Sequence, residues 1–192
     1  MKPIILASTS RYRRELLERL SLPFDTVSPD CDETPQDGEL PSELVKRLAL
    51  DKARNVAGHQ RRKLIIGSDQ VAELDGRILG KPGTHDNAAV QLRRASGRQV
   101  MFHTGICLLD SESGEYQLDC VPFGVTFRLL DPIQIDRYLF QEKPYDCAGS
   151  FKSEGYGITL FKSLDGDDPT ALIGLPLVRL VDMLGKAGIY LP

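Results

Sequence analysis

The sequence predicts an α/β fold with a mixed sheet, and three patterns carry that expectation. Short apolar runs rich in β-branched residues, such as Ile4–Ala7 and residues 64–66, alternate with helical stretches bearing one apolar stripe. Asp75-Gly76 marks a two-residue hairpin, because the primed turns need positive φ and this pair supplies it. A longer hairpin is expected from strands over residues 99–109 and 116–128, joined by residues 110–114.

Taken in order, Ile4–Ala7 reads as a first strand and Ser8-Thr9-Ser10 as a turn whose hydroxyls can cap a helix. That helix is expected over residues 11–20, with Leu16, Leu17 and Leu20 as its apolar stripe. Arg13 falls on the same stripe one turn earlier. Its stem can lie along the core while its head reaches water. Alternatively, strand, hydroxyl turn and helix N-terminus form an anion site, for which Arg13 and Arg14 supply charged forks. Phe24–Val27 suits a second strand. The polar loop after it carries Asp30, Asp32, Glu33 and Asp37, and sequence does not choose which of them, if any, reaches a metal. Pro41–Ala57 is an amphipathic helix closed by Gly58, and Lys52 interrupts its apolar face of Val45, Leu48, Ala49, Ala53 and Val56.

Residues 64–71 are the most informative stretch. The pattern fits a strand covered on both faces, yet Asp69 stands where another apolar residue is expected. An aspartate near the end of such a strand either fixes a turn or does chemistry. If Leu74 faces Arg77 across Asp75-Gly76, counting back places Lys81 opposite Gln70, with Gly80, Pro82 and Gly83 ending the strand there. Acid, amide and cation would then meet at one sheet end. Further on, Thr84 can cap a helix reaching Ala95, and Asp131-Pro132 with Gln134 forms a capping-box start. His103 is expected to be a strand residue satisfied by a neighbour. The glycines of residues 148–157 match neither a dinucleotide fingerprint nor a P-loop. That segment reads as a mobile loop or as one bringing backbone, Lys152 and Glu154 near a ligand. Asp165-Gly166-Asp167-Asp168 superficially suggests calcium, but the twelfth position is Pro176 and the EF-hand reading fails. A last helix is expected over residues 176–184, stopped by Gly185.

The totals set bounds. A chain of 192 residues, 41% hydrophobic, can build one good core or two small lobes across a cleft. Its net charge of −3 argues against a general nucleic-acid binder. Cys31, Cys107, Cys120 and Cys147 contain no C-x-x-C pair, and the histidines stand at no zinc-ligand spacing, so free thiols are expected. No signal peptide or membrane-length apolar run is recognisable, which points to a soluble cytoplasmic protein.

Residues 7–17, Asp32-Glu33, Asp51-Lys52-Ala53, Gly67-Ser68-Asp69-Gln70, Gly80-Lys81-Pro82 and residues 148–157 together resemble the Maf family of nucleoside triphosphate pyrophosphatases, and most of all its 7-methyl-GTP branch. The resemblance implies a Maf/ITPase-like α/β fold: an elongated mixed sheet flanked by helices, in two lobes with a central cleft, forming a single Maf-like domain over residues 1–192. It also implies hydrolysis of a nucleoside triphosphate to monophosphate and diphosphate, with a divalent cation, Mg²⁺ or Mn²⁺. On this basis Asp69 is the expected proton acceptor and Glu33 with Asp69 the expected metal ligands. Ser8, Arg13, Lys52 and Lys81 match polar cleft residues of the family and are expected to bind phosphate; the charge of a triphosphate adds Arg14 to them, with Lys152 a further candidate. Tyr12, Gln70 and Glu154 are expected to select the base, and Tyr12 departs from the Trp common in that branch. The expected partner is a small nucleotide, bound by a monomer or homodimer that engages neither nucleic acid nor membrane. Two alternatives stand beside this: a pyrophosphatase for another modified or pyrimidine nucleotide, and a nucleotide-sensing division regulator with little turnover.

Overall fold

The computed structural model describes residues 2–192. Among them the strands are β1 (Ile4–Ala7), β2 (Phe24–Val27), β3 (Leu64–Leu74), β4 (Arg77–Leu79), β5 (Gln99–Asp110), β6 (Tyr116–Phe127) and β7 (Phe161–Asp165). The helices are α1 (Arg11–Glu18), α2 (Pro41–Ala57), α3 (His85–Ala95), α4 (Pro132–Glu142), α5 (Pro169–Ile173) and α6 (Leu177–Lys186). The strands form one sheet of order β2-β1-β3-β5-β6-β7, with β4 pairing off the path to β3. β1 pairs in parallel with both β2 and β3, whereas β3–β4 and β6–β7 are antiparallel, so the sheet is mixed as expected.

The described residues fall into two compact units. Unit 1 comprises residues up to Gln70, Thr104–Val121 and Asp168–Pro192. β1 and the parts of β3 and β5 in this unit are buried on both faces, and their alternation sorts side chains into two cores. Ile4, Leu6, Leu64, Ile66, Ile106 and Leu108 pack with Leu16 and Leu17 of α1 and with Leu180 and Leu184 of α6. Ile5, Ala7, Ile65, Cys107 and Leu109 pack with Ala49, Leu50, Ala53 and Val56 of α2. A period-2 strand set between period-3.6 helices produces this sorting directly.

Unit 2 comprises Val71–His103 and Pro122–Asp167. Phe102, Phe127, Phe151 and Phe161 meet edge to face at its centre, with centroids 4.8–5.5 Å apart. α4 starts on the expected capping box: the Asp131 carboxylate accepts from Gln134 N–H, and the Gln134 side chain accepts from Asp131 N–H. His103 meets Glu73 at 2.8 Å, which is the satisfying neighbour expected of it.

Several boundaries differ from expectation. α1 ends at Glu18, two residues early, with Ser21 at φ 53° turning the chain. β3 runs past Asp69 to Leu74, because Ala72 and Leu74 remain buried, so Asp69 lies mid-strand. Gly185 lies inside α6, and the chain turns instead at Gly188, φ 82°. The hairpin register is the expected one, Leu74↔Arg77, but pairing stops at Ala72↔Leu79. Lys81 therefore falls beyond the ladder, and the strand does not carry it opposite Gln70. The segment expected as a mobile loop is folded into two short 3₁₀ turns, Ala148–Ser150 and Tyr156–Leu160.

Candidate functional site

Two glycines bring the helix that carries Lys52 onto the sheet. A Cβ on Gly67 of β3 would overlap the Ala49 carbonyl, and one on Gly105 of β5 would overlap the Val45 carbonyl. α2 thus lies on the strands more closely than any other residue there would allow. Lys52 follows Ala49 by three residues and shares its helix face, while Asp69 follows Gly67 by two and shares its strand face. The close approach delivers one side chain to the other. Lys52 Nζ stands 2.5 Å from Asp69 Oδ1 and 2.7 Å from Glu33 Oε1. Lys52 is 5% exposed and Asp69 8%, whereas the Glu33 side chain reaches out of the loop and is 60% exposed.

The Glu33 loop is itself fastened to α2. Arg47 grips both carboxylate oxygens of Glu39, at 2.6 and 2.8 Å, and donates to the Thr34 carbonyl at 3.1 Å. This bidentate pair holds the Glu39 carboxyl down at about 2, with the Arg47 hydrogen bonds as the main cause.

At the β1–α1 junction, Ser8 is buried and its hydroxyl accepts from Ser10 N–H at 3.1 Å. Ser10 is the N-cap, accepting from Arg13 N–H. Arg13 is part-buried, and its Nε donates to the Gly174 carbonyl at 2.8 Å. Desolvation lowers the Arg13 pKa, opposed by the nearby charges of Asp69 and Glu33. Arg14 points elsewhere: it is exposed and paired with Glu18 at 3.1 Å, beside a depression lined by Leu22, Phe24 and Asp25. The Tyr12 ring carries the Arg11 guanidinium 4.7 Å from its centroid, and its hydroxyl accepts from Arg11 at 2.8 Å.

The α5 region joins these parts. Ser68 Oγ lies 2.8 Å from the Gly105 carbonyl and 2.9 Å from that of Gly174, so it reaches the oxygen that also receives Arg13. Gln70 Nε2 donates toward Thr104 Oγ1 at 3.0 Å and the Ala171 and Leu172 carbonyls at 2.7 and 3.1 Å. Asp168, 2% exposed, caps α5 by accepting from Thr170 N–H and reaches on to Val178 N–H of α6. Unit 1 therefore holds Glu33, Lys52 and Asp69 in direct contact, and beside them Arg13 and Gln70 on the carbonyls of residues 171–174, with the charges of Asp69 and Glu33 acting on Arg13.

In unit 2, Lys81 is exposed, and the carbonyls on either side of it accept from α3: Gly80 from Gln91 and Pro82 from Asn87, each at 3.0 Å. Lys152 is turned to Glu142 at 3.3 Å, and Glu142 also accepts from Tyr156 N–H at 2.7 Å. Glu154 is exposed beside Ser153. Gly149 and Ser150 adopt φ 73° and 65°, and the Ser150 hydroxyl donates to Gln91 at 2.6 Å.

Sequence reasoning missed Gly67 and Gly105 as packing sites, and Thr104 and Asp168 as supports. Asp168-Pro169 is an N-cap followed by N1 proline and signals α5. A lone threonine within an apolar strand signals nothing.

With Lys52 between two carboxylates and Arg13 close by, the site combines a buried acid with fixed cations, the arrangement a polyphosphate needs. The Maf-like protein family matches residues 3–187. The chain belongs to this family. A Pseudomonas savastanoi pv. phaseolicola relative described as 7-methyl-GTP pyrophosphatase is 59% identical over 192 residues, covering all of both chains. A Methylobacillus flagellatus relative of the same description is 56% identical over 98% of each. Among solved structures, the Staphylococcus aureus Ham1 protein overlaps 66% of this chain and 72% of its own, with TM-score 0.46 and 18% identity.

Proposed function

We propose that this Maf family member is a nucleoside triphosphate pyrophosphatase that hydrolyses 7-methyl-GTP to 7-methyl-GMP and diphosphate, removing a modified nucleotide from the cytoplasmic pool. The observation that carries the chemistry is the Lys52 ammonium held between Asp69 and Glu33. The base comes from the full-length relatives that bear that name.

A hard divalent cation fits these residues. Two carboxylate oxygens converge on one point that a positive group already occupies. No cluster of three or more acidic, histidine or cysteine ligands is found among the described residues. Mg²⁺ and Mn²⁺ sites of this sort use one or two carboxylates and take the remaining ligands from substrate phosphate and water. Glu33 and Asp69 would hold the ion, which when bound supplies Lewis-acid polarisation of the phosphoryl oxygens.

The protein's own groups do the rest. Lys52 and Arg13 neutralise the triphosphate, and Ser8 with the capped start of α1 offers further donors. Lys81 is a further cation for the phosphates, with Lys152 an additional candidate, whereas Arg14, exposed and paired with Glu18, takes no part. Asp69, held at its Oδ1 by Lys52, accepts the proton of the attacking water. Attack at the α-phosphorus then expels diphosphate, whose charge the same cations stabilise. Methylation at N7 leaves guanine cationic, which suits a Tyr12 ring that already holds a guanidinium over its face. Glu154 accepts from the guanine N1 and N2 donors, and Gln70 adds a hydrogen bond.

The test is Asp69→Asn, followed by diphosphate release and by equilibrium binding of 7-methyl-GTP. Release is expected to fall at least 100-fold, the scale on which a general base acts, while binding persists. Undiminished release would remove Asp69 from the mechanism, and equal wild-type rates on dTTP and 7-methyl-GTP would overturn the base assignment.

A further inference from the structure

The Gln70 side-chain amide is held in one orientation, and the network around it fixes which. Three oxygens face one end of the amide: Thr104 Oγ1 at 3.0 Å and the carbonyls of Ala171 and Leu172 at 2.7 and 3.1 Å. Both carbonyls can only accept. Thr104 is fully buried, and its hydroxyl proton is directed to the Ala171 carbonyl at 2.9 Å. A hydroxyl has one proton, so toward Gln70 the Thr104 oxygen is also an acceptor. Three acceptors at one end identify that end as the NH₂ group, and both of its protons are engaged there. The opposite end, Oε1, can only accept, and it lies on the side of Gly174 that Arg13 Nε also approaches. Turning the amide over would set its carbonyl oxygen against three other oxygens.

Resting on the reading of Gln70 as a base-selecting residue, we propose that Thr104 is a positioning residue for substrate choice. By holding the Gln70 amide nitrogen, together with the α5 carbonyls, it makes Oε1 the group offered to the nucleotide. Position 70 then selects an N–H or O–H donor on the nucleoside part of the substrate and repels a bare acceptor placed there. Gln70 so held can only accept at that end, as a backbone carbonyl does, although free glutamine can serve either way. Thr104 touches no substrate in this scheme and acts only through Gln70.

The experiment compares kcat and KM for 7-methyl-GTP, GTP and dTTP in wild type, Thr104→Val, Thr104→Ser and Gln70→Leu. Thr104→Val keeps the shape and removes the hydroxyl, so the amide nitrogen loses one of its three acceptors and is held less firmly by the two that remain. The ratio of kcat/KM for 7-methyl-GTP over dTTP is expected to fall about tenfold, the equivalent of one hydrogen bond near 1.4 kcal/mol, with the change carried by KM more than by kcat. Thr104→Ser restores the oxygen and is expected to restore the ratio. A second readout does not depend on turnover. The Gln70 side-chain NH₂ resonances, assigned by their loss in Gln70→Leu, should show slow exchange with solvent, both free and with 7-methyl-GMP added. In Thr104→Val that protection should drop. If Gln70→Leu changes the ratio while Thr104→Val leaves it within twofold and the NH₂ protected, the positioning role is wrong and the Gln70 reading stands. If Gln70→Leu leaves the ratio unchanged, the Gln70 reading fails and takes this proposal with it. Should Thr104→Val not fold, loss of selectivity in Thr104→Ser or a rapidly exchanging wild-type NH₂ would overturn the proposal.

Discussion

Removing the Lys52 ammonium would leave Asp69 with an uncompensated charge in a place almost closed to water. Lys52→Met keeps most of the volume and removes the cation. The contact to Glu33 adds little to the loss, at most about 1 kcal/mol, because that carboxylate is largely exposed and screened. The contact to Asp69 is different, since both partners are over nine-tenths buried, and breaking such a pair from one side costs about 3–5 kcal/mol. Asp69→Asn is much milder, about 1–2 kcal/mol, because an amide oxygen can still accept from Lys52 and Glu33 still balances it. The double variant carries no buried charge at this point. It should therefore be less destabilised than the two single losses summed, by about 2–3 kcal/mol. Urea unfolding followed by circular dichroism reads this directly, since ~3 kcal/mol moves a midpoint by about 1 M or more. If the double loss equals the sum within about 0.5 kcal/mol, the Lys52–Asp69 pair is not coupled and the account of the site's centre fails.

Two further outcomes follow from the packing and from the Glu39 loop. Gly67→Ala or Gly105→Ala would press a methyl into an α2 carbonyl and should cost about 1–3 kcal/mol. Gly185→Ala, in open space within α6, should be neutral or stabilising by up to about 1 kcal/mol. Equal thermal midpoints for Gly67→Ala and Gly185→Ala would contradict the close approach. Glu39 is held near 2 from an ordinary 4.5, so its pairing with Arg47 stabilises the fold above pH 4.5 and is lost as pH falls toward 2. Glu39→Gln should lower the midpoint at pH 7 yet lose less than wild type between about pH 5 and 2, and an unaltered acid limb would refute the role.

Much of the fold was legible because its signals are local. Apolar periodicity marked β1, α2 and β3, Asp75-Gly76 set the hairpin register, and Asp131-Pro132 with Gln134 marked α4. Lys52 and Asp69 stood out as charges on apolar faces, and the structure pairs them. What sequence could not carry were relations between distant residues. Nothing local indicates that Arg13, Ser68 and Gln70 all donate into carbonyls of residues 171–174, or that Arg14 prefers Glu18 to its neighbour's direction. Extrapolating a hairpin ladder to Lys81 failed for a similar reason: register fixes which residues would pair, not how far pairing continues.

Unit 1 draws on Asp168–Pro192, and a ribosome makes those residues long after the rest of the site. Ser8, Arg13, Lys52 and Asp69 leave the exit tunnel well before Gly174 exists to accept from Arg13 and Ser68. A nascent or prematurely terminated chain thus has its acid and its cations but lacks the carbonyls that steady Arg13, Ser68 and Gln70. Nucleotide hydrolysis by this protein is expected to begin only once that late segment has been translated and docked.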